Sequence, residues 1–283
     1  MVILKNDILC AKIQLRGAEL KSLTRGDAEY IWPGDKAIWA SSAPLVFPIC
    51  SAMKDNSYYF DDTKYAMQKH GYARFCTFQV ETQSKTTATF LLRSDEESRK
   101  VYPFDYELRI TYRLEENKLF IGYNVKNCSD GNMYFSIGAH TGYFCPEGVE
   151  QYDLILPEKE SLENTLLQGD LLSYQTQPIT ENCDRLALKY EYFEKDPLTF
   201  ENMKAREVTL KNRVTGREIK VCFPGFDTFL IWTIPGAPFV CLEPWCGITD
   251  RIDTNQDITT KEKIQVLAPG DVFTREHAIE IVK

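Results

Sequence analysis

The dominant pattern along the chain is a strict alternation of apolar and polar side chains. It is clearest in residues 106–114 and 119–125, which are separated by the polar segment Glu115-Glu116-Asn117. Successive side chains of a β-strand point to opposite faces of a sheet, so this alternation predicts strands with one buried face and one solvated face. The short connection between the two runs predicts that they form an antiparallel hairpin.

Other short apolar or alternating runs lie between turn residues and predict further strands. These runs are residues 9–15, 75–80, 88–92, 134–139, 152–156, 208–210, 219–223 and 278–282. A period of 3.6 residues is not sustained anywhere, and short helical turns are predicted only near residues 161–167 or 202–205. The polar segment 168–184 is interpreted as a long excursion, either a loop or edge hairpins.

Many strands with few helices indicate a mostly β fold, a large antiparallel sandwich or barrel. The sequence contains no linker, composition shift or internal repeat, so one domain spanning residues 1–283 is predicted. A net charge of −8 without a basic cluster argues against a nucleic-acid partner. No apolar run is long enough to span a membrane, and the first apolar run is too short for a signal peptide.

Nine cysteines are scattered along the chain without a CxxC motif, and only three histidines accompany them. This spacing predicts no zinc site and no other metal. An odd number of scattered cysteines also fits a reducing compartment, so a cytoplasmic location is expected. No Gly-rich phosphate loop, GxSxG or HExxH motif occurs in the sequence.

One stretch places a carboxylate in an unusual position. Residues 229–234 and 239–242 are apolar runs separated by Pro-Gly-Ala-Pro, which predicts a buried hairpin whose second strand ends at Glu243. A carboxylate at the end of a core strand is costly unless it is hydrogen-bonded or has a function. The simpler interpretation is an acid that turns to solvent where the strand ends.

The three histidines differ in their surroundings. His70 lies in a Gly-containing segment with Arg74, ahead of a predicted strand, and His140 ends an apolar strand bordered by glycines. Each also has an ordinary interpretation, a surface loop for His70 and a satisfied core position for His140. His277 lies among charged residues and is expected to face solvent. If His70, His140 and Glu243 converge in one cleft, their imidazole and carboxylate groups are suited to general acid–base catalysis on a neutral polar substrate.

Seven motifs occur along the chain in the order in which one known family carries them. They are Ala43-Pro44-Leu45-Val46-Phe47-Pro48-Ile49, Lys54-Asp55-Asn56-Ser57-Tyr58, Gln68 with His70-Gly71-Tyr72-Ala73-Arg74, Ser136-Ile137-Gly138-Ala139-His140, Phe226-Asp227-Thr228, Glu243-Pro244-Trp245-Cys246-Gly247 and Leu267-Ala268-Pro269-Gly270. In these motifs the chain resembles the aldose 1-epimerases, or galactose mutarotase-like proteins, and within them the LacX-like branch. The resemblance spans nearly the whole chain.

The resemblance implies a large antiparallel β-sandwich, no cofactor, and interconversion of the α and β anomers of a hexose or hexose phosphate. By the same resemblance, Glu243 is the general base and His140 the general acid. His70, Arg74 and Asp196 are implied to bind the sugar. A small-molecule sugar is the expected partner, with neither nucleic acid nor membrane, for a monomer or homodimer.

The chain departs from the family pattern at two places. Ser51-Ala52 stands where many relatives have Gly-Arg, and Thr141-Gly142-Tyr143 replaces Pro-Ala-Phe after the histidine. The first departure keeps open an alternative function, that of a carbohydrate-binding or sensor protein on the same scaffold with impaired catalysis. A glycosidase or lyase is a third hypothesis, but glycosidases use two carboxylates and Asp196 is the only evident partner for Glu243.

Overall fold

The computed structural model describes residues 1–282 and is 54% strand and 7% helical. In chain order the strands are β1 (Val2–Lys5), β2 (Leu9–Ile13), β3 (Leu20–Arg25), β4 (Ala28–Glu29), β5 (Leu45–Val46), β6 (Ser57–Phe60), β7 (Thr63–Ala66), β8 (Gln79–Gln83), β9 (Thr87–Arg93), β10 (Tyr106–Glu115), β11 (Lys118–Asn127), β12 (Met133–Phe135), β13 (Ile137–Ala139), β14 (Thr141–Phe144), β15 (Tyr152–Gln168), β16 (Leu171–Ala187), β17 (Leu198–Phe200), β18 (Glu207–Asn212), β19 (Glu218–Cys222), β20 (Thr228–Trp232), β21 (Phe239–Cys246), β22 (Gln265–Leu267) and β23 (Val272–Ile281). The helical segments are one short α-helix, α1 (Glu96–Arg99), and 3₁₀ turns at Lys54–Asn56, Ala73–Phe75, Val149–Gln151, Tyr190–Phe193 and Ile258–Thr260.

A nine-stranded antiparallel sheet forms one layer, in the order β16-β15-β18-β19-β23-β11-β10-β9-β8. Within it β10 and β11 pair from Tyr106 opposite Asn127 to Glu115 opposite Lys118. The burial of β10 alternates along its length, as the period-two pattern predicted. The predicted hairpin is therefore confirmed.

A second sheet, in the order β17-β20-β21-β13-β5 with β14 also paired to β21, lies against the first. Phe47, next to β5, and Tyr106 of β10 have ring centroids 5.2 Å apart, within the continuous buried core that both sheets share. Both inner faces are apolar, so packing them together removes a large apolar area from water. The expected mostly β, antiparallel sandwich with few short helices is confirmed.

Three predictions about local structure are wrong. Residues 161–167 lie within β15, and residues 202–205 are not helical. Residues 75–80 include the end of a 3₁₀ turn, and strand β8 begins only at Gln79. For residues 168–184 the edge-hairpin interpretation is correct: they belong mostly to β16, which pairs with β15 at the edge of the nine-stranded sheet in a hairpin of two 17-residue strands. Much of β16 is exposed on both faces, so this hairpin depends on backbone pairing rather than on a buried face. For the same reason its sequence does not alternate between apolar and polar residues.

The predicted end of the strand at Glu243 is also wrong. Strand β21 continues to Cys246, and all eight of its residues are buried. Glu243 lies inside this strand, 2% exposed, opposite Leu230 of β20. Pro244 interrupts the pattern of amide donors, but β21 remains paired with β20, β13 and β14. Glu243 is thus a carboxylate in the interior of a central strand.

His277 was expected to face solvent, and this expectation is wrong. It lies in β23 and is 2% exposed, with its ring stacked on Tyr123 at a centroid distance of 5.7 Å. Three other buried residues of β23 lie an even number of positions from His277, namely Phe273, Ile279 and Ile281. Because successive side chains of a strand alternate between its faces, His277 lies with them on the inner face. Within residues 1–282, none of the helices has the length and apolar character needed to cross a membrane.

Candidate active site

Strand pairing brings His140 and Glu243 together. His140 lies between β13 and β14, and both of these strands pair with β21. Gly138 pairs with Trp245 and Thr141 with Leu242, so the same register puts His140 opposite Glu243. His140 Nε2 and Glu243 Oε2 are 3.5 Å apart. Directly opposed side chains on antiparallel strands are close neighbours, which explains how residues far apart in the sequence meet.

His70 approaches the same pair from a turn between β7 and β8. Its ring centroid lies 5.2 Å from that of His140 and 5.7 Å from that of Trp245. The following residue, Gly71, has a φ of 68°, and a Cβ built there would lie 2.1 Å from the carbonyl oxygen of Phe47. Only glycine fits this close approach, which holds the turn that presents His70 against strand β5.

These side chains line a cavity of about 340 Å³. Three of the four tryptophans in the chain, Trp39, Trp232 and Trp245, form its walls. The ring of His140 lies 5.3 Å from Trp39 and 5.6 Å from Trp232, measured between centroids. Aromatic walls with a few convergent polar groups are typical of small-molecule sites and suit the apolar faces of a flat or cyclic ligand.

The two other predicted binding residues also line the cavity. Arg74 donates through Nη2 to the carbonyl oxygen of Lys69 at 2.7 Å, while its Nε is buried and has no partner among the described residues. Asp196 is half-buried, next to the exposed Lys195. The five residues predicted from the sequence, His70, Arg74, His140, Asp196 and Glu243, are therefore brought together in one cavity.

Sequence reasoning missed several residues of this cavity. Lys69 and Asp170 form an ion pair of 3.1 Å at the rim, and Leu167 comes from the end of β15. Leu167 and Asp170 come from the tip of the β15–β16 hairpin, a segment that the sequence left open between a loop and edge hairpins. The tryptophans were the signal that could have identified the cavity walls, because the sequence contains only four of them.

Burial disfavours the charged forms of both His140 and Glu243. It lowers the pKa of His140 from its usual value to about 3, with the cationic Arg74 and Lys69 adding to the effect. It raises the pKa of Glu243 well above its usual value, which Lys69 partly counteracts. Burial also lowers the pKa of His70 well below its usual value, helped by His140, Arg74 and Lys69. This environment favours a protonated Glu243 beside two neutral imidazoles.

Glu243 also belongs to a group with ligand atoms for a metal. One ligand atom each from His140, Cys241 and Glu243 lies within 4.8 Å of the others. These are ligand types that zinc accepts, and the sequence spacing gave no sign of them because strand pairing creates the group. Burial and the nearby Glu243 raise the pKa of the Cys241 thiol well above its usual value, which opposes the thiolate that a metal requires.

Comparison with known proteins agrees with this geometry. The family model described as Aldose 1-epimerase matches residues 1–280. Two curated relatives, the chromosomal and plasmid forms of Protein LacX from Lactococcus lactis subsp. lactis, are each 29% identical over 294 residues, covering 99% of this chain and 98% of the relative.

Solved structures resemble the chain over its full length. A galactose mutarotase related enzyme from Lactobacillus acidophilus has a TM-score of 0.95 at 30% identity, covering 100% of this chain and 97% of that one. A galactose mutarotase-like protein from Lactobacillus casei has a TM-score of 0.93 at 28% identity, covering 99% of both chains. The fold is therefore galactose mutarotase-like, and the chain belongs to the aldose 1-epimerase family.

Proposed function

We propose that this protein is an aldose 1-epimerase, which interconverts the α and β anomers of an aldose by general acid–base catalysis. The observation that carries the proposal is the pairing of His140 Nε2 with Glu243 Oε2 at 3.5 Å in the wall of a tryptophan-lined cavity. An imidazole and a carboxylate at this spacing reach two neighbouring oxygens of one ligand, as the anomeric hydroxyl and the ring oxygen of a pyranose are.

In the proposed reaction, the Glu243 carboxylate takes the proton of the anomeric hydroxyl while protonated His140 gives its proton to the ring oxygen. The bond between the anomeric carbon and the ring oxygen breaks, and the open-chain aldehyde forms. Rotation about the first carbon–carbon bond presents the other face of the aldehyde. Closure then returns one proton to His140 and the other to the new anomeric hydroxyl, with the acid and base roles exchanged.

The proton count fits the electrostatics of the cavity. Before ring opening the pair is ionised, and after ring opening it is uncharged, with the proton on Glu243. Both states carry one proton, so no exchange with solvent is needed during the reaction. Because burial favours the uncharged state, the environment supports the state that accompanies the open-chain intermediate.

His70, Arg74 and Asp196 are proposed to hold the sugar. His70 lies beside His140, so it is suited to donate to the ring oxygen region. The guanidinium of Arg74 keeps a buried, unpartnered Nε among the described residues, and a sugar hydroxyl satisfies such a donor. Asp196 accepts hydrogen bonds from hydroxyls at the open side of the cavity.

The test is the rate of mutarotation of freshly dissolved α-anomers, followed by polarimetry across a panel of aldoses and their 6-phosphates. The wild-type protein is expected to accelerate equilibration of at least one of them. Glu243→Gln keeps the shape of the site but removes the base, so it should lower kcat by about 10²- to 10⁴-fold while sugar binding persists. Glu276→Gln, an exposed position in β23, is the matched control and should retain the wild-type rate.

The second candidate is a carbohydrate-binding or sensor protein without catalysis. Its support is the raised pKa of Glu243, since a protonated carboxyl group cannot take a proton. Ala52 itself does not line the cavity: it is buried and bonded through its backbone to Thr249, whereas its neighbour Ser51 is a lining residue. Equilibration no faster than in buffer for every sugar of the panel, together with measurable sugar binding, would favour this candidate over the epimerase.

A further inference from the structure

A cysteine lies beside the His140–Glu243 pair and has no role in the proposed reaction. Cys241 and Glu243 are two residues apart in strand β21, so their side chains point to the same face of the sheet. Gly142 lies directly opposite Cys241 in the strand register and contributes no side chain between the thiol and His140. One ligand atom from each of His140, Cys241 and Glu243 lies within 4.8 Å of the other two.

The separation between these atoms matches that between the ligands of one metal ion. His140 Nε2 and Glu243 Oε2 are 3.5 Å apart. Two nitrogen or oxygen ligands at the tetrahedral angle on a zinc ion are about 3.3–3.4 Å apart, and a sulfur ligand is about 3.6 Å from a nitrogen ligand. The Cys241 thiol therefore needs to approach by at most about 1.2 Å to complete the set.

The charge of the group suits a divalent cation. A thiolate and a carboxylate carry two negative charges and a neutral imidazole carries none, so a bound Zn²⁺ makes the site neutral overall. Burial raises the pKa of both Cys241 and Glu243, because the anions alone are poorly solvated there. A dication in contact with both anions replaces the missing solvation and displaces both protons. Burial thus opposes each anion alone but not the neutral metal complex.

The ligand atoms and their position determine which metal fits, and how tightly. Sulfur, nitrogen and carboxylate oxygen together are typical of Zn²⁺, whereas Mg²⁺ and Ca²⁺ prefer oxygen ligands alone. His140 and Glu243 line the cavity, so a cation that enters it reaches them first. Nδ1 of His140 has no partner among the described residues, although a ligating imidazole normally donates through its second nitrogen. We therefore expect a Kd of about 1 µM, weaker than that of structural zinc sites.

We propose that His140, Cys241 and Glu243 form a binding site for Zn²⁺ and that the bound ion inhibits the protein. Zinc binding itself is independent of the proposed function. The inhibition rests on that function, because the ion occupies Nε2 of the general acid and an oxygen of the general base. Zinc and sugar therefore compete, since the reacting oxygens of the sugar need the same two groups.

The experiment measures binding of zinc chloride by titration calorimetry. The background protein carries Cys128→Ser and Cys183→Ser, which remove the two exposed thiols, and it should bind one ion with a Kd of about 1 µM. Adding Cys241→Ala should weaken binding by about 100-fold or more, because losing a ligand costs more than losing the hydrogen-bond partner of a ligand. Cys145→Ala removes another buried thiol, outside the group, and as the matched control should bind like the background.

Cobalt gives a second measurement, which a general effect of the substitution on the fold does not imitate. Co²⁺ bound through sulfur shows a sulfur-to-metal charge-transfer band, and the background protein should show it. Cys241→Ser, which keeps the volume of the side chain, should lack the band. Methyl β-glucoside, which cannot open its ring, should weaken Zn²⁺ binding by competition.

The effect on activity is measured by polarimetry with the preferred aldose. Zinc at ten times its Kd should slow mutarotation by the background protein by about 10-fold, and EDTA should restore the rate. The rate of the Cys241→Ala variant should not change when the same concentration of zinc is added. Bound zinc that leaves mutarotation unchanged or accelerates it would overturn the inhibition.

The outcomes separate the metal site from the epimerase. If no sugar is anomerised but Zn²⁺ binds through Cys241, the proposed function fails and the metal site stands. If sugars are anomerised but Cys241→Ala binds Zn²⁺ as tightly as the background does, the metal site is overturned and the epimerase stands. If neither rate nor binding is found, both are overturned.

Discussion

The backbone amide of Ser51 donates a hydrogen bond to Nδ1 of His70 at 3.2 Å. An amide is only a donor, so Nδ1 is the acceptor and the proton of the neutral imidazole lies on Nε2. Burial and the nearby cations lower the pKa of His70, which keeps the ring neutral. His70 therefore offers the cavity one N–H donor of fixed tautomer, without a charge.

This tautomer makes His70 a positioning donor for the ligand. His70→Leu should lower kcat/KM by about 10-fold or more, because a buried sugar oxygen loses its partner. His70→Gln retains an N–H donor and should recover part of the loss. Gln68→Leu, an exposed change in the same segment, is the control and should match wild type. A wild-type kcat/KM for His70→Leu would contradict this role.

The pH dependence of kcat/KM should show a broad plateau. The reaction needs one proton on the His140–Glu243 pair, which gains a second proton only near the lowered pKa of His140, about 3. At the other end the pair loses its proton at the raised pKa of Glu243. Activity should thus fall on the acid side near pH 3 and on the alkaline side well above an ordinary carboxyl pKa. The two limits are macroscopic pKa values that belong to the pair and not to either residue alone. Polarimetry across pH measures it, and a loss of activity on the alkaline side near the ordinary carboxyl pKa of 4.5 would contradict it.

Stability should fall in acid partly because of His277. Burial lowers its pKa in the folded protein to about 3, against about 6.5 when unfolded. Between these values only the unfolded chain binds the proton, so stability is present above pH 6.5 and is lost as the pH falls toward 3. His277 contributes up to about 1.4 kcal/mol per pH unit in this range.

His277→Gln tests this contribution, because it keeps a polar group near Tyr123 and removes the titration. Urea unfolding of both proteins between pH 4 and 7 should give a shallower dependence of the unfolding free energy on pH for the variant. The remaining slope includes His70 and His140, whose pKa values burial also lowers. Equal slopes for the two proteins would contradict the prediction.

Lys261 and Asp250 form a buried ion pair, so the effects of their substitutions on the free energy of unfolding should be strongly coupled. Nζ and Oδ1 are 2.6 Å apart, and both side chains are almost fully buried. Lys261→Met leaves the carboxylate buried without its partner and should destabilise the protein by about 3–5 kcal/mol. Adding Asp250→Asn, which still accepts from the amide of Lys54, should restore part of the loss. Urea unfolding of both singles and the double measures the coupling, and additive effects would contradict it.

The sequence predicted the parts of the fold whose pattern is local. Residues 106–114 alternate because one face of β10 is buried and the other is wet, and the structure has that strand. The hairpin of β20 and β21 was also predicted, because Pro235 to Pro238 separate two apolar runs. The seven motifs of the resemblance led to the family, and the family match confirms that identification.

What the sequence did not reveal depends on pairing between distant strands. Glu243 was expected at a strand end because Pro244 follows it, whereas three neighbouring strands keep β21 extended beyond the proline. The 17-residue strands of the β15–β16 hairpin have no buried face over much of their length, so no period marked them. His277 was judged by its charged neighbours in sequence, although alternate residues of a strand face opposite ways.

The hairpin of β15 and β16 has one further consequence. Its tip brings Leu167 and Asp170 to the cavity, while Glu243 lies on a central strand of the other sheet and His140 lies between two strands that pair with it. Insertions, deletions or substitutions near that tip can thus change which ligands enter the cavity without disturbing His140 and Glu243, since loops at a sheet edge tolerate change. Ligand preference and chemistry are inherited separately in such an arrangement, and related proteins can diverge in one while preserving the other.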